Sequence, residues 1–201
     1  MKNNTTPNLL DLVKFLEISG SLKRIQRTGW VDIGVHAPES VADHTFRTAV
    51  LCMLYADLNN LDTSKMLKMA LIHDLPEAII GDLMPSQKTA QTKKDEKDAI
   101  CDILSLLAEN QRAEYFAIWT EYKQGKTKEA KATRQLDKIE MALQAKEYEH
   151  RGHDKKSLER FVKSAQQFTE WPDLKHLLEC ILEEKNEFQK TLDKRIHKNV
   201  K

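Results

Sequence analysis

The chain has little cysteine, glycine or proline, and it has almost no net charge. Its 201 residues include three cysteines, six glycines and five prolines, and 32 basic residues balance 31 acidic ones to a formal net charge of +1. An odd number of cysteines without a CxxC pair argues against a disulfide framework and against a structural zinc site. A nearly neutral chain makes no broad electrostatic case for binding nucleic acid, so an anionic substrate must be bound by local charges.

Long hydrophobic runs are also missing. The longest uncharged apolar stretch covers about residues 48–56, whereas a helix that spans a bilayer needs about 20 apolar residues. The first six residues, MKNNTT, contain no apolar signal region. We therefore expect a cytoplasmic protein that has no membrane partner.

The sequence does contain helical periodicity from end to end, and no segment alternates with the period of a strand. The predicted helices cover residues 8–19, 63–73, 92–108, 110–123, 127–150, 155–168 and 173–188. Another predicted helix begins after Ser40 and carries apolar residues between positions 42 and 54. We expect an all-α helical bundle that forms a single domain over residues 1–201, with a core of about residues 8–187 and a basic tail at 189–201 that frays. Residues 21–38 lack a helical period and are predicted to be an ordered connection, and such long connections are usually functional.

One segment combines an apolar run with charged residues. Residues 69–72, Met-Ala-Leu-Ile, lead directly into His73 and Asp74. A charged pair at the end of a buried run is costly unless something neutralises it, and a bound cation would do so. The alternative is structural: His73 is a histidine of the core, and Asp74 is its partner or a cap.

Two distant residues add to this pair. His44 lies in the first turn of a predicted central helix, and Asp137 lies on an apolar stripe of the long helix, where a carboxylate needs a partner. Arg134, one turn earlier, is the structural alternative for that partner. Two imidazoles and two carboxylates suit a six-coordinate divalent ion, with two positions left for water or substrate.

Four more residues are candidates for contact with a substrate. Glu77 follows the His-Asp pair by one helical turn and is placed to act as a general base or acid, although a surface glutamate is equally compatible with the spacing. Asp82 follows Gly81 on a predicted turn and either binds a substrate hydroxyl or caps the next segment. Arg27 offers a planar fork for phosphate, and Trp30 offers a face for a sugar or base.

These motifs resemble the HD-domain metal-dependent phosphohydrolases, and in particular the 5'-deoxynucleotidases of the HD-domain-containing protein 2 type. The resemblance covers about residues 8–187 and rests on the segments LKRIQRTGW (22–30), PESVADH (38–44), HDLPEAIIGD (73–82), QLDK (135–138) and QAKEY (144–148). It implies an HD-domain bundle and a homodimer. It also implies hydrolysis of deoxyribonucleoside 5'-monophosphates with a divalent cation, Co²⁺ or Mn²⁺ ahead of Mg²⁺, Zn²⁺, Fe²⁺ or Ni²⁺.

The resemblance also implies roles for individual residues. The metal ligands would be His44, His73, Asp74 and Asp137. Glu77 would be the catalytic carboxylate, unless it holds a second ion together with Asp82. The substrate would be bound by Arg27 at the phosphate, by Trp30 where a 2'-hydroxyl is excluded, by Asp82 at the 3'-hydroxyl and by the chain up to Pro85. In the bacterial branch of the family the arginine and tryptophan are adjacent, whereas Thr28 and Gly29 separate them here.

Two other functions remain open at this point. An HD phosphodiesterase or triphosphohydrolase would act on another nucleotide, but the sequence shows no added basic cluster for a longer phosphate chain. A non-catalytic nucleotide-binding protein would lack a metal ligand or Glu77, and none of them is missing.

Overall fold

A computed structural model describes residues 8–183, and these residues form α-helices joined by turns. The helices are α1 (Leu9–Ser21), α2 (Thr28–Asp32), α3 (Val41–Asn59), α4 (Thr63–Ile72), α5 (Glu77–Ile80), α6 (Ala90–Leu104), α7 (Glu109–Gln124), α8 (Lys128–His150), α9 (Lys155–Phe168) and α10 (Pro172–Glu183). Residues 22–24 and 85–87 form 3₁₀ turns. Within residues 8–183 there is no strand, so the all-α prediction is confirmed; the expected basic tail and the end of the last predicted helix lie outside the described residues.

The helix starts follow local capping signals. Before α3, the Ser40 hydroxyl accepts a hydrogen bond from the Asp43 amide, and the Asp43 carboxylate accepts one from the Ser40 amide. Asp62 and Thr127 cap α4 and α8 in a similar way. Because such caps are local in sequence, the long helices begin within two residues of their predicted starts.

The long helix α8 lies at the centre of the bundle, where it packs against α3, α4, α7, α9 and α10. Its apolar stripe, including Leu136 and Ile139, is fully buried against α3 and α4. Packing on this side brings the adjacent face of α8, which carries Asp137, towards the start of α3. The central packing therefore determines which polar side chains meet.

The connection between α1 and α3 differs from the prediction, because it contains the short helix α2. Its Trp30 is buried against Tyr148 and Phe161, and the Arg160 guanidinium donates to the Gly29 carbonyl and to Asp32. A five-residue helix is too short to show a period, and here it is held by distant partners. No helix among the described residues has the length and apolarity that crossing a membrane requires.

Candidate active site

Three parts of the bundle bring four predicted ligands together. His44 comes from the first turn of α3, His73 and Asp74 from the turn after α4, and Asp137 from the middle of α8. The His44 Nε2 atom lies 3.0 Å from Asp137 Oδ1 and 3.8 Å from Asp74 Oδ2. The His73 Nε2 atom lies 3.1 Å from the same Asp74 oxygen. The ligand atoms of His44, His73 and Asp74 therefore lie within 4.8 Å of one another, and Asp137 joins this group through its contact with His44.

The second nitrogen of each imidazole has a partner that can only accept a hydrogen bond. The Nδ1 of His73 donates to the Ala70 carbonyl over 2.7 Å, and the Nδ1 of His44 donates to the Glu140 carboxylate. With Nδ1 engaged, Nε2 is the remaining ligand atom of each ring, and both Nε2 atoms face carboxylates. Both Nε2 atoms are buried without a hydrogen bond of proper geometry. Orphaned lone pairs next to carboxylates are the donor set that a divalent cation requires, so these residues fit a metal.

The electrostatics of the cluster also favour a cation. Burial and Arg27 would lower the pKa of His44, but Glu140 and Asp137 outweigh them and raise it to about 10. Burial would raise the pKa of Asp74, whereas His73 and Arg27 hold it well below its usual range. The carboxylates are therefore ionised at neutral pH, and the position at His44 Nε2 attracts positive charge, either as a proton or as a metal ion.

Glu77 is the first residue of α5 and lies beside this cluster. The helix does not continue through Pro76: α4 ends at Ile72, and residues 73–76 form turns in which the Glu77 amide donates to the Asp74 carbonyl over 3.0 Å. The side chain is 5% exposed, and its Oε2 atom has no partner. Burial and the negative charge of Asp74 raise the pKa of Glu77 above its usual range. A buried carboxyl with a free oxygen is a suitable proton carrier.

Arg27 lies in the predicted connection 21–38, but its side chain is largely buried. The side chain is 12% exposed, and its guanidinium lies 3.4 Å from Asp74 and 3.2 Å from Asp82. Burial alone would lower the pKa of Arg27, but the two carboxylates raise it above its ordinary value. Asp82 also accepts the Thr28 amide over 2.5 Å, so it anchors the start of α2 next to the cluster.

Trp30 and Pro85 both line the cavity, but they differ in their surroundings. Trp30 is 1% exposed, and its indole N–H donates to Glu39 over 2.9 Å. Pro85 starts the 3₁₀ turn that forms part of the opposite wall. The exclusion of a 2'-hydroxyl by Trp30 stays a prediction.

Sequence reasoning missed the buried network behind His44. Glu140 has no exposed surface, and besides His44 it accepts hydrogen bonds from Arg47 over 2.9 Å. Arg47 also binds Glu147 and Gln144. The available signal was spacing, because Glu140 follows Asp137 by three residues and shares its helix face. A carboxylate that holds the outer nitrogen of a ligating histidine orients the ring for the metal.

The cluster opens into a cavity of about 520 Å³ that carries more positive charge than the sequence suggested. Besides Arg27, its wall includes Lys88, Lys123, Arg134, Lys138 and Arg160. The prediction that no basic cluster is present was therefore wrong, since these residues come from four separate segments. Arg134 is also not the partner of Asp137, which instead lies 3.1 Å from Lys138 and 3.0 Å from His44.

A helical domain in which a His-Asp pair meets a second histidine and a second aspartate is that of a metal-dependent phosphohydrolase of the HD class. Residues 19–175 match the family model described as HD domain. The chain is 38% identical to the 5'-deoxynucleotidase HDDC2 of Xenopus laevis over 177 residues, which cover 87% of this chain and 88% of that protein. It is 41% identical to the human 5'-deoxynucleotidase HDDC2 over 155 residues, 76% of each chain.

A solved structure has the same fold. A conserved hypothetical protein from Pyrococcus furiosus superposes with a TM-score of 0.71 at 34% identity, covering 84% of this chain and 98% of that one. The chain therefore belongs to the HD-domain family and, within it, to the group of the HDDC2 5'-deoxynucleotidases. The family resemblance read from the sequence motifs is confirmed.

Proposed function

We propose that this phosphohydrolase is a 5'-deoxynucleotidase, which hydrolyses deoxyribonucleoside 5'-monophosphates to a deoxynucleoside and phosphate. The observation that carries the proposal is the convergence of His44, His73, Asp74 and Asp137, with both Nε2 lone pairs facing carboxylates on the wall of an open cavity. The names of the HDDC2 relatives supply the substrate class.

The four converging side chains would hold one divalent cation, for which we propose Co²⁺ or Mn²⁺. When bound, this ion supplies Lewis-acid polarisation of the phosphate and lowers the pKa of water. The chain's own part is to present two imidazoles in the correct tautomer. Burial keeps bulk water away from both histidines, which are 0% and 2% exposed.

Arg27 is proposed to bind the phosphate. Its guanidinium lies beside Asp74, so its charge is at the edge of the metal-binding cluster, where the phosphate must lie. Asp82 and Asp74 fix the direction of the guanidinium through contacts of 3.2 and 3.4 Å. Because an arginine fork matches the geometry of phosphate oxygens, a prealigned fork loses little freedom on binding.

Glu77 is proposed to move the proton. Hydrolysis forms a bond from a water oxygen to phosphorus and breaks the bond from phosphorus to the 5'-oxygen, so the water loses a proton and the 5'-oxygen gains one. Glu77 Oε2 is buried without a hydrogen-bond partner in the same cavity as Arg27 and Asp74. A carboxyl at this position is suited to general acid–base catalysis.

The remaining assignments are also proposals. Asp82 would meet the 3'-hydroxyl, while Trp30 and the chain up to Pro85 would shape the sugar pocket. All three residues line the cavity. We further propose a single HD domain over residues 1–201, a homodimer and a cytoplasmic location.

A nucleotide with a longer phosphate chain is the second candidate substrate, and the basic residues of the cavity favour it. Most of these cations are already paired. Lys88 and Lys123 contact Glu96, while Lys138 contacts Asp137. Because Lys88 and Lys123 share Glu96 and Lys138 lies against Asp137, these lysines add little net charge for further phosphates, and the monophosphate remains the preferred substrate.

The test is phosphate release from a panel of 5'- and 3'-mononucleotides, ribo and deoxy, and from deoxynucleoside triphosphates, each with Co²⁺, Mn²⁺, Mg²⁺ and Zn²⁺. We expect the highest kcat/KM for deoxyribonucleoside 5'-monophosphates and no release from 3'-monophosphates. The Asp137→Asn variant, with one ligand altered, is the matched inactive control. Preferred hydrolysis of triphosphates would contradict the proposal, as would activity equal in wild type and Asp137→Asn.

A further inference from the structure

We propose that Phe168 and Arg134 form the binding site for the nucleobase, a stacking surface on the wall of the cavity. This inference rests on the proposed function, because it identifies where the base of a nucleoside monophosphate lies. Phe168 and Arg134 line the cavity as an aromatic and guanidinium pair that no step of the hydrolysis uses. The second such pair, Phe161 and Arg160, is already engaged with Trp30 and Asp32.

Phe168 is the last residue of α9, and its ring is not packed away. It is 36% exposed, although it lines the cavity. Phe161, on the same helix, is different: it is buried, and its ring centre lies 3.9 Å from that of Trp30. A partly exposed aromatic face on a cavity wall is costly in water and is well suited to stack on a flat ligand.

Arg134 completes one side of the stacking surface. Its guanidinium carbon lies 5.4 Å from the centre of the Phe168 ring. Among residues 8–183, Arg134 makes no ion pair with a carboxylate, in contrast to Lys123 and Lys138. Gly125 leaves room for the side chain, since a Cβ there would lie 2.1 Å from Arg134 Nη1. The guanidinium therefore lies over one face of the ring without being neutralised. Planar groups of this kind stack on nucleobases, so a base would stack on an outer face of the pair.

The stacking surface lies close to the proposed metal ligands along α8. Arg134 precedes Asp137 by three residues on α8, which corresponds to about 4.5 Å along the helix. Since α9 packs alongside α8, its last residue faces the same part of that helix. A nucleotide whose phosphate lies at Arg27 and Asp137 would therefore place its sugar across the cavity and its base at Phe168.

Stacking predicts broad acceptance of bases, because every base has an aromatic face. Loss of the aromatic ring should weaken the contribution of the base about 5- to 150-fold, since base–aromatic stacks are worth about 1–3 kcal/mol. The effect should be larger for purines than for pyrimidines, because a purine covers more of the ring.

The test compares substrates with and without a base. For the metal-loaded enzyme we measure kcat/KM for dAMP, dCMP and 2-deoxyribose 5-phosphate, and we express the advantage of each nucleotide over the sugar phosphate as a ratio. In Phe168→Ala we expect the dAMP ratio to fall about 5- to 150-fold and the dCMP ratio to fall less. Phe46→Ala is the matched control, because Phe46 is 71% exposed on α3 and does not line the cavity; its ratios should equal those of the wild type.

The failures of the two proposals are distinguishable. An unchanged ratio in Phe168→Ala would overturn the base site while the nucleotidase activity stands. If the wild type hydrolyses none of the three substrates, the proposed function fails, and the base site is then judged by calorimetric titration with deoxyadenosine. In that experiment, binding that is lost in Phe168→Ala supports the site. Equal binding by both proteins, or none by the wild type, overturns it.

Discussion

Replacement of Glu140 by glutamine tests how the buried network supports the metal-binding cluster. In the wild type, one carboxylate oxygen accepts the His44 Nδ1–H, and the other accepts Arg47 Nε at 2.9 Å. A glutamine has nearly the same volume, but its amide N–H groups must face either His44 or Arg47. The glutamine N–H groups would then face the N–H of His44 or of Arg47, at a position with no solvent access. The His44 ring loses either its fixed tautomer or the charge that makes Nε2 a strong ligand.

The expected loss of metal affinity follows from what is known of hydrogen-bond partners of metal-binding histidines. Loss of such a partner weakens metal affinity about 10- to 100-fold, which corresponds to about 1.4–2.8 kcal/mol. The assay is calorimetric titration of metal-free protein with Co²⁺, together with thermal unfolding. Glu147→Gln is the control, because Glu147 pairs with Arg47 and has no contact with His44 through a hydrogen bond. Its Co²⁺ affinity should match that of the wild type.

The buried location of Glu140 requires a second variant. Removing one member of a buried ion pair costs about 3–5 kcal/mol of folding free energy, whereas replacing both members by apolar residues is tolerated better. If Glu140→Gln does not fold, the Glu140→Met and Arg47→Met double variant removes the carboxylate without leaving an unpaired guanidinium. Wild-type Co²⁺ affinity in either folded variant would refute the positioning role of Glu140.

Three other variants test the remaining parts of the site. Glu77→Ala should retain metal and lower kcat about 10²–10⁴-fold with little change in KM; steady-state kinetics with metal titration measure this, and rescue by excess metal would instead identify Glu77 as a ligand. Arg27→Ala should raise KM for the monophosphate about 10- to 100-fold, because a charge-assisted bond worth about 1.5–3 kcal/mol is lost; an unchanged KM would remove Arg27 from the phosphate site. Burial and Glu140 raise the pKa of Glu39 to about 7. The folded state therefore binds the carboxyl proton of Glu39 more tightly than the unfolded state does, and the free energy of unfolding falls as pH rises from about 4.5 to 7. Glu39→Gln should weaken this fall in metal-free protein, by no more than about 3 kcal/mol, while still accepting the Trp30 N–H; urea unfolding at pH 5 and pH 8 measures it, and an identical fall in both proteins would contradict the assignment.

The sequence by itself determined the helices and the chemical types of the site. Helix periods and caps depend on residues a few positions apart, as Ser40 and Asp43 show before α3. The proposed ligand types also came from the sequence, because a charged pair at the end of an apolar run needs a partner whatever the fold. The family motifs then connected His44 and Asp137 to that pair, although they lie 29 residues before and 63 residues after it.

Only the tertiary structure decided what surrounds these residues. The His44 bond to Glu140 joins positions 96 residues apart, and the Arg27 contact with Asp82 joins positions 55 residues apart. No local period or cap records such pairs, because they result from the packing of α8 against α3 and from the folding of α2 onto the cavity. Burial has the same origin. The sequence predicted only a connection around Arg27, whereas the structure buries Arg27 as a doubly paired cation because α2 closes against α9.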